Sequence, residues 1–512
     1  MISLLLVGLL GCTCAPGTPQ TTPAAARRAA APEGSPNVLV VVWDTVRADR
    51  TSLYGYPKPT TPWTAAWAAQ RAVVHERAVS PGVWTLPSHA SLFTGLPGRT
   101  HGVNAAHTRL DPEFVTFAEA LRERGYATWA YVANPYMGKD TGLLDGFAVV
   151  ERPWSKRWLP DVRAHIASKL LLDDASTPLS PRWEGQPATS RYLVKESGPV
   201  AAAALDAWLD RRRRGDAPWF AFVNLMEAHL PRIPSAAARL AVMSPGAQEL
   251  AKHIPQTMDA FHDHMAGVET YDELELDAIS QLYDATLLDL DAAFRALVEV
   301  LERRELLEDT VIVLTSDHGE QVGERGLLLH KYAIHQELTR VPLVVSWKGH
   351  LEAGRSADRV SVADALVDVA RMAELPLTEA MEAQLASRTA PLGPDAAVSE
   401  FNAVAPMALD RLVARHPTVD LSRFHVTWQA LEEGDLKVVE GSDGDVQLYD
   451  LARDPRELRD LADGEPERVA ALQADLARWR EGTPEHAAPT EPDPGVQDAE
   501  LREGLEALGY HQ

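Results

Sequence analysis

The chain has 512 residues, of which 46% are hydrophobic and 24% charged, so it can bury a large core and has the composition of an ordinary globular protein. Its formal net charge of -24 argues against nucleic acid as a partner, because binding a polyanion requires basic patches. Its two cysteines, Cys12 and Cys14, both lie near the N-terminus. The sequence therefore predicts a folded body without disulfides, thiolate metal sites or a cysteine nucleophile.

The N-terminal segment has the pattern of an export signal followed by a tether. Residues 4–11 form a short apolar run that ends just before Cys12, an arrangement similar to a bacterial lipoprotein signal with Cys12 as the lipidated residue. The run is too short to span a bilayer. Residues 13–35 are rich in Thr, Pro and Ala, which predicts an unpacked linker. We therefore expect a signal over residues 1–12 and an exported protein, held in the bacterial cell envelope (periplasm or outer surface) by a lipid anchor only.

The first predicted strand leads directly to a carboxylate. Residues 37–43 form a continuous apolar run, which is typical of a strand buried on both faces of a mainly parallel sheet. Asp44 follows this run, at the end of a strand that faces the crevice where α/β proteins place their sites. Asp44 is thus a candidate either for turn formation or for metal ligation.

A polar cluster in residues 84–95 is the second candidate. Pro87 is tolerated in the first turn of a helix, so Thr85 is predicted to lie just before a helix N-terminus. Backbone N–H groups and the helix dipole favour a negative charge there, and a nearby cation could hold the Thr85 hydroxyl as an alkoxide. The alternative is that Thr85 and Ser88 are only capping residues.

Two more apolar runs predict buried strands that end in candidate residues. Residues 219–225 lead to His229, although a lone histidine after a strand is more often structural. Residues 310–314 lead to Asp317 and His318. A carboxylate beside a neutral imidazole is a suitable shell for a divalent metal, and the imidazole favours zinc or manganese over calcium.

Taken together, these motifs resemble the sulfatase family of the alkaline phosphatase superfamily. Residues 85–95 resemble its nucleophile motif and match it at Pro87, Ser88, Thr94 and Gly95. The other matching segments are 44–49, 99–102, 227–231, 317–320 and 330–331. The resemblance implies an α/β fold with a large mixed, mainly parallel sheet flanked by helices, and a small C-terminal α+β subdomain.

The resemblance also implies the domain boundaries. The catalytic domain is expected over residues 36–375, with residues 236–276 as a helix-prone insert, and the C-terminal subdomain over 376–481. Residues 482–512 are predicted to form an acidic linker and a tail helix. An amphipathic pattern predicts a helix over residues 283–304, and the resemblance implies helices over residues 63–70 and 466–480.

Four departures from the family pattern bear on chemistry. Thr85 stands where the family has a Cys or Ser that is oxidised to formylglycine, and His89 stands where it has Arg. Oxidation of a threonine could give only a ketone, so we predict no formylglycine. Relatives with an unmodified Thr are phosphate-ester enzymes: nucleotide pyrophosphatases, lipoteichoic acid synthases and lipid A phosphoethanolamine transferases. Thr45 replaces a usual calcium ligand, and Asn134 lies where the family has its sulfate-binding Lys and His.

By resemblance, the site holds one divalent cation (Zn, Mn or Ca). The implied metal ligands are Asp44, Thr85, Asp317 and His318. The residues implied to act in catalysis are Thr85, His89, His229, His330 and Lys331. We expect Thr85 to be the nucleophile and the other residues to orient it or to contact the anionic ester.

The favoured function is a metal-dependent hydrolase of sulfate or phosphate esters. Its substrate is expected to be a small-molecule, glycan or lipid ester. A Thr-sulfate lacks the hemiacetal elimination route that is open to formylglycine, which favours phosphate. The alternatives are an envelope phospho-headgroup transferase, although known ones carry several membrane spans, and a non-catalytic ester-binding protein of the same fold.

Overall fold

The computed structural model of the protein describes residues 30–172, 197–213, 215–388, 392–402 and 406–486. The predicted signal, most of the linker and the predicted tail helix lie outside these ranges. Within them, none of the helices combines the length and the apolar character needed to cross a membrane.

The secondary structure is given first as strands and then as helices. The strands are β1 (Asn37–Trp43), β2 (Val73–Val79), β3 (Ala127–Val132), β4 (Val149–Glu151), β5 (Trp219–Leu225), β6 (Thr310–Thr315), β7 (Gln321–Val322), β8 (Leu328–Leu329), β9 (Leu343–Trp347), β10 (Gly354–Ser361), β11 (Ala396–Phe401), β12 (Trp428–Glu433), β13 (Leu436–Gly441) and β14 (Val446–Asp450). The helices are α1 (Pro62–Arg71), α2 (Thr85–Thr94), α3 (Gly98–His101), α4 (Phe117–Glu123), α5 (Leu159–Leu172), α6 (Ser197–Leu209), α7 (Ala236–Val242), α8 (Pro245–Ala251), α9 (Met258–Met265), α10 (Glu273–Arg303), α11 (Gln336–Thr339), α12 (Val362–Met372), α13 (Glu379–Ala386), α14 (Pro406–Arg415) and α15 (Pro466–Gly482).

The main sheet has eight strands in the order β10-β2-β9-β6-β1-β5-β3-β4. Its strand pairs are parallel except for those of β9, which runs antiparallel to both β6 and β2. The predicted mixed, mainly parallel sheet is therefore confirmed. Strands β6, β1, β5 and β3 are neighbours, so the loops at their carboxyl ends meet at one edge.

Strand β1 shows why the central strands are continuous apolar runs. All of its residues are buried. Val38, Val40 and Val42 belong to the core on one face of the sheet, together with residues of α2 and α12. Leu39, Val41 and Trp43 belong to the core on the other face, with residues of α6 and α10. Because helices cover both faces, neither set of alternating side chains meets water.

The C-terminal residues form the predicted smaller unit, in which β11, β12, β13 and β14 make an antiparallel sheet. Leu472, Leu476 and Trp479 of α15 cover one face of this sheet. The backbone N–H of Glu400 in β11 donates to the carbonyl of Pro81 at 2.9 Å. The small sheet thus supports the loop that leads into α2.

Helix α10 differs from its prediction, because it begins at Glu273 instead of Tyr283. Its start is set by a capping box in which Asp272 accepts from the backbone of Glu275 and Glu275 accepts from that of Asp272. The short helices α7, α8 and α9 occupy the segment predicted as an insert.

Candidate active site

The candidate residues gather at the carboxyl edge of the main sheet. Asp44 follows β1, and Asp317 and His318 follow β6. Their ligand atoms, one from each residue, lie within 4.8 Å of one another, and all three residues are buried. The structure therefore brings together the three side chains that the sequence offered from two separate strands.

Each of these three residues keeps one buried atom without a hydrogen bond. These atoms are Asp44 Oδ1, Asp317 Oδ2 and His318 Nε2, as judged within the described parts of the chain. Burying a polar atom without a partner is unfavourable, by about 1–3 kcal/mol, and more for a charge. Two carboxylate oxygens and an imidazole nitrogen that converge in this way fit a divalent cation.

The remaining atoms of the cluster are fixed by hydrogen bonds. Asp44 Oδ2 accepts from the side-chain amide of Asn134 at 2.7 Å. Asp317 Oδ1 accepts from the backbone N–H of Thr45 at 3.2 Å and of His318 at 2.9 Å. His318 Nδ1 lies 2.9 Å from the carbonyl oxygen of Gly319, so the Nδ1–H donates there and the lone pair of Nε2 faces the cluster.

Burial sets the charge states of these groups. It raises the pKa of Asp44 to about 8, with the nearby Asp317 carboxylate adding to the effect, and raises the pKa of Asp317 to about 7. It lowers the pKa of His318 to about 4, so the imidazole is neutral at pH 7. Two buried carboxyl groups that resist ionisation together would be stabilised as anions by a cation.

The turn after Asp44 is held in a strained conformation. Thr45 has a φ of 64°, which is uncommon for a β-branched residue. Its carbonyl accepts from the Tyr283 hydroxyl at 2.8 Å, and the same hydroxyl accepts from the backbone N–H of Arg47 at 2.9 Å. Tyr283, fully buried in α10, thus holds the turn that presents Asp44.

Thr85 is the first residue of α2, one position later in the helix than predicted. The N-cap residue is Trp84, which makes no side-chain capping bond, so the structure gives no support to the capping alternative for Thr85. Thr85 is buried, and its Oγ1 accepts from the side-chain amide of Asn134 at 3.1 Å. The hydroxyl is therefore linked to Asp44 through one shared amide group.

His89 contacts the cluster from the core side of α2. Its Nδ1 lies 2.8 Å from the Thr85 carbonyl oxygen and 3.6 Å from Asp317 Oδ2. Its ring packs against Phe93 and Phe222, and burial lowers its pKa to about 4. The structure thus places His89 against the backbone of Thr85, with its hydrogen bond going to the carbonyl oxygen.

The remaining predicted residues lie beside His318. The ring centroid of His330 is 4.4 Å from that of His318 and 5.0 Å from that of His229. Lys331 Nζ lies 5.2 Å from the centroid of the Trp84 ring, and burial lowers the pKa of Lys331 to about 8. One buried group of imidazoles and an amine therefore adjoins the carboxylate cluster.

Sequence reasoning gave no role to four residues that shape this site. Asn134 bridges Asp44 and Thr85, and Asn224 of β5 accepts from the Asn134 backbone N–H at 2.9 Å. Glu320 lies 3.2 Å from His330 Nδ1 and 3.2 Å from the fully buried Arg232. Asn224 is a polar residue inside a buried strand, and this was the one available signal in the sequence. Buried polar side chains are usually hydrogen-bonded, so a partner for Asn224 could have been expected.

Comparisons with known proteins identify the family of this chain. The sulfatase family model matches residues 36–374. The chain is 25% identical over 321 residues to the ulvan-active sulfatase of Formosa agariphila, a match that covers 61% of this chain and 56% of that enzyme. It is 24% identical over 491 residues to the choline-sulfatase of Rhizobium meliloti, covering 92% of this chain and 90% of that one.

A solved structure extends the comparison to the fold. The phosphonate monoester hydrolase of Agrobacterium radiobacter has a TM-score of 0.63 and 22% identity, and the match covers 87% of this chain and 96% of that one. This likeness confirms the predicted alkaline phosphatase-like fold. Since the family model matches well over half of the chain, the protein belongs to the sulfatase family and is a hydrolase of the sulfate- and phosphate-ester class.

Proposed function

We propose that the protein is a metal-dependent ester hydrolase in which Thr85 is the nucleophile, without formylglycine. The observation that carries this proposal is the position of Thr85 Oγ1, which is hydrogen-bonded to Asn134 while Asn134 also binds Asp44. An activated alcohol is expected to lie at the start of a helix and beside side chains that can bind a cation, as the Thr85 hydroxyl does.

The cation would be held by the three orphaned atoms of Asp44, Asp317 and His318, with Thr85 as a further ligand. When bound, a divalent cation lowers the pKa of a hydroxyl and screens the charge of an anionic ester. Two carboxylates and an imidazole are compatible with zinc, manganese or calcium, and the imidazole favours the first two.

The chain's own residues then have distinct roles. Asn134 fixes the rotamer of Thr85 so that Oγ1 is directed at the ester. The hydrogen bond from the Asn134 amide to Oγ1 strengthens as negative charge develops on that oxygen. Lys331 attracts the anionic ester by its charge. We assign His229 and His330 to the leaving group, because their rings lie together beside His318, and Glu320 fixes the tautomer of His330 by accepting from its Nδ1–H. His89 supports the backbone that carries Thr85.

Attack by Thr85 would form a covalent Thr ester and break the bond to the leaving alcohol, which departs with the proton that the Thr85 hydroxyl loses. Water then hydrolyses the Thr ester, which restores the hydroxyl and releases the acid. A Thr-phosphate can be attacked at phosphorus by water, whereas a Thr-sulfate has no hemiacetal through which to eliminate. The proposal therefore favours phosphate or phosphonate esters over sulfate esters. The names of the relatives, an ulvan-active sulfatase and a choline-sulfatase, support a glycan or small-molecule ester as substrate.

We further propose that the protein is exported and anchored by a lipid on Cys12, which would bring it to lipid, glycan or small-molecule esters of the cell envelope. The support is the apolar run that precedes Cys12 and the composition of the segment after it. Labelling of cells with a radioactive fatty acid, compared with the variant Cys12→Ser, tests this: absence of label in the unmodified protein would contradict it.

The test of the chemistry is a hydrolysis panel on the purified protein. It pairs p-nitrophenyl sulfate with the phosphate monoester, a phosphonate monoester and a phosphodiester, each with Zn²⁺, Mn²⁺ and Ca²⁺. Thr85→Ala should lower turnover by about 1,000-fold or more, while Thr85→Ser should retain part of it because the hydroxyl is kept. His253→Ala, at an exposed histidine, is the matched control.

Each outcome assigns a function. Phosphorus-ester turnover that Thr85→Ala abolishes supports the proposal in full. Turnover of the sulfate ester that depends on Thr85 keeps the nucleophile and overturns the preference for phosphorus. Turnover that survives Thr85→Ala overturns the assignment of Thr85. Metal binding without turnover of any substrate would favour transfer to an envelope acceptor or ester binding without catalysis.

A further inference from the structure

We propose that His107, Asp111 and His486 form a second metal site, which takes Zn²⁺ and fastens the chain after α15 to the catalytic domain. The site shares no residue with the cluster of Asp44, Asp317 and His318. His107 and Asp111 belong to the loop between α3 and α4, and His486 follows α15. Its two parts are thus more than three hundred residues apart in sequence, as their numbers show.

The ligand atoms converge on one carboxylate. Asp111 Oδ2 lies 2.8 Å from His486 Nε2, and Asp111 Oδ1 lies 3.4 Å from His107 Nε2. One ligand atom from each of the three residues falls within 4.8 Å of the others. Two imidazole nitrogens and a carboxylate oxygen at this spacing leave room for an ion between them, with small shifts of the side chains.

A second observation points to an occupant. His107 is 7% exposed, and within the described residues neither of its ring nitrogens makes a hydrogen bond. A buried imidazole that makes no hydrogen bond loses those it had with water on folding, and the contact of 3.4 Å with Asp111 replaces them only in part. A metal ion bound to Nε2 supplies the missing interaction.

The surroundings of His486 match those of a metal-bound histidine. Its Nδ1, the nitrogen that faces away from Asp111, lies 3.6 Å from the carboxylate of Glu113. A carboxylate on the second ring nitrogen orients a ligating imidazole and increases its basicity. The ring is also fixed by packing, with its centroid 5.9 Å from that of His107 and 5.5 Å from that of Phe114.

The donor set selects the metal. Two imidazoles with one carboxylate suit zinc, whereas calcium and magnesium prefer oxygen ligands. Asp111 and Glu113 together balance the charge of a divalent cation with neutral imidazoles. The side chain of Asp111 is 29% exposed, so water can reach the fourth position of a tetrahedral shell.

The site lies where the chain after α15 meets the catalytic domain. The backbone N–H of His486 donates to the carbonyl of Arg99 at 2.9 Å, and the Thr100 hydroxyl donates to the carbonyl of Pro484 at 3.0 Å. A Cβ on Gly102 would come within 2.3 Å of the His486 ring, so this close approach requires glycine. A metal bound here would turn these contacts into a fixed junction.

The test is zinc binding by the full-length protein after metal removal. Zinc content is measured by mass spectrometry, and Co²⁺ is used as a spectroscopic probe of tetrahedral ligation. Asp317→Asn removes the proposed metal site of Asp44, Asp317 and His318, so any zinc that this variant binds is bound at another site. His486→Gln, at a partly exposed position, and Asp111→Asn are the site variants, and His253→Gln is the control at an exposed histidine.

We expect the Asp317→Asn protein to keep one zinc equivalent and to lose it when His486→Gln or Asp111→Asn is added, but not when His253→Gln is added. Glu113→Gln should weaken zinc binding by about 10- to 100-fold without removing it. The proposal would be overturned if the Asp317→Asn protein bound no zinc, or if adding His486→Gln left its zinc binding unchanged. Both results are independent of activity, so they stand whatever the catalytic nucleophile is.

Discussion

Asn134 donates a hydrogen bond of 3.1 Å from its side-chain amide to the hydroxyl oxygen of Thr85. The same nitrogen lies 2.7 Å from Asp44 Oδ2, and the Asn134 backbone is held by Asn224. One amide therefore sets the distance between the proposed nucleophile and a proposed metal ligand. The bond has a direction: the hydroxyl oxygen accepts, so its own hydrogen is available to leave.

The first prediction concerns this amide. Asn134→Ala should lower kcat by about 100-fold, because the variant loses a donor that stabilises negative charge on Thr85 Oγ1. KM should change less, since the amide acts on the nucleophile. Steady-state kinetics on the best substrate of the panel give both constants.

Asn402→Ala, at an exposed asparagine, serves as the control for that measurement. Zinc content of the Asn134→Ala protein, measured together with His486→Gln so that the second proposed site is empty, shows whether Asp44 still binds metal. Unchanged kcat with metal retained would remove Asn134 from the site's chemistry.

The second prediction is a pH profile. Burial lowers the pKa of Lys331 to about 8, so the amine is charged below that pH and neutral above it. If the Lys331 charge attracts the ester, kcat/KM should fall as pH rises through about 8. The corresponding fall in kcat should occur at a higher pH, because the bound anionic ester stabilises the charged amine. Initial rates from pH 6 to 10 measure both.

Lys331→Arg tests the same idea by conserving the charge, since guanidinium stays protonated throughout this range. Its profile should lose the alkaline limb near pH 8, and Lys331→Met should lower kcat/KM at every pH. An alkaline limb that persists in Lys331→Arg would belong to another group.

The third prediction links metal binding to pH. Burial raises the pKa of Asp44 to about 8 and of Asp317 to about 7, above the values of an unfolded chain. A raised carboxyl pKa contributes stability that is fully present below the unfolded value of about 4 and is lost progressively until pH has passed the native value. The metal-free protein should therefore lose thermal stability from about pH 4 to about pH 8, and the stabilisation given by Zn²⁺ or Mn²⁺ should grow over the same interval.

Thermal unfolding at several pH values, with and without metal, checks this expectation. Metal affinity should rise with pH and protons should be released on binding, because the carboxylates bind metal only when ionised. The double variant Asp44→Asn with Asp317→Asn, combined with His486→Gln so that the second proposed metal site is also lost, should show neither effect. A metal-induced shift in Tm that is the same at pH 6 and pH 8.5 would contradict the ligand assignment.

Much of the fold followed from the sequence because burial on both faces leaves a clear pattern. β1 and β5 have the bounds predicted for them, and β6 is one residue longer than the run from which it was predicted. The antiparallel β9 between β6 and β2 was not predicted, because strand order depends on long-range pairing that no local pattern records. The start of α10 was missed because its capping box is several turns from the most apolar part of the helix.

From local patterns alone, the site was predictable where a side chain lies just after a predicted strand, as with Asp44 and Asp317, whereas Thr85, His89, His330 and Lys331 were assigned through the family resemblance. Asn134 joins the site because β3 is the second neighbour of β1, a relationship that the sequence alone does not disclose. For the same reason the approach of His486 to Asp111 could not be foreseen. Contacts that depend on the order of the strands, or on a distant C-terminal segment that packs against the catalytic domain, can be identified only once the fold is known.

The last prediction concerns the junction between the two sheets. Lys437 of β13 is fully buried, and its Nζ lies 2.8 Å from Glu457 Oε1 and 2.8 Å from the carbonyl oxygen of Ile334. Burial alone would raise the pKa of Glu457, but the Lys437 charge and the contacts of Glu457 with His335 together outweigh it and hold that pKa at about 2. Lys437→Met should leave this carboxylate buried without its cation and destabilise the protein by about 3–5 kcal/mol.

Urea unfolding at pH 7 measures this cost, and Arg295→Met is the matched control. Arg295 is paired with Glu299 on the exposed face of α10, so its loss should change the free energy of unfolding by about 1 kcal/mol or less. The depressed pKa of Glu457 stabilises the unmodified protein above the unfolded value, and this contribution is lost only as pH falls through about 2. Without Lys437, burial favours the protonated carboxyl, so the difference between Lys437→Met and the unmodified protein should be largest at pH 7 and should shrink as pH falls towards 5. A difference no larger than that of the control would mean that water reaches Glu457 and that the buried pair does not hold the two sheets together.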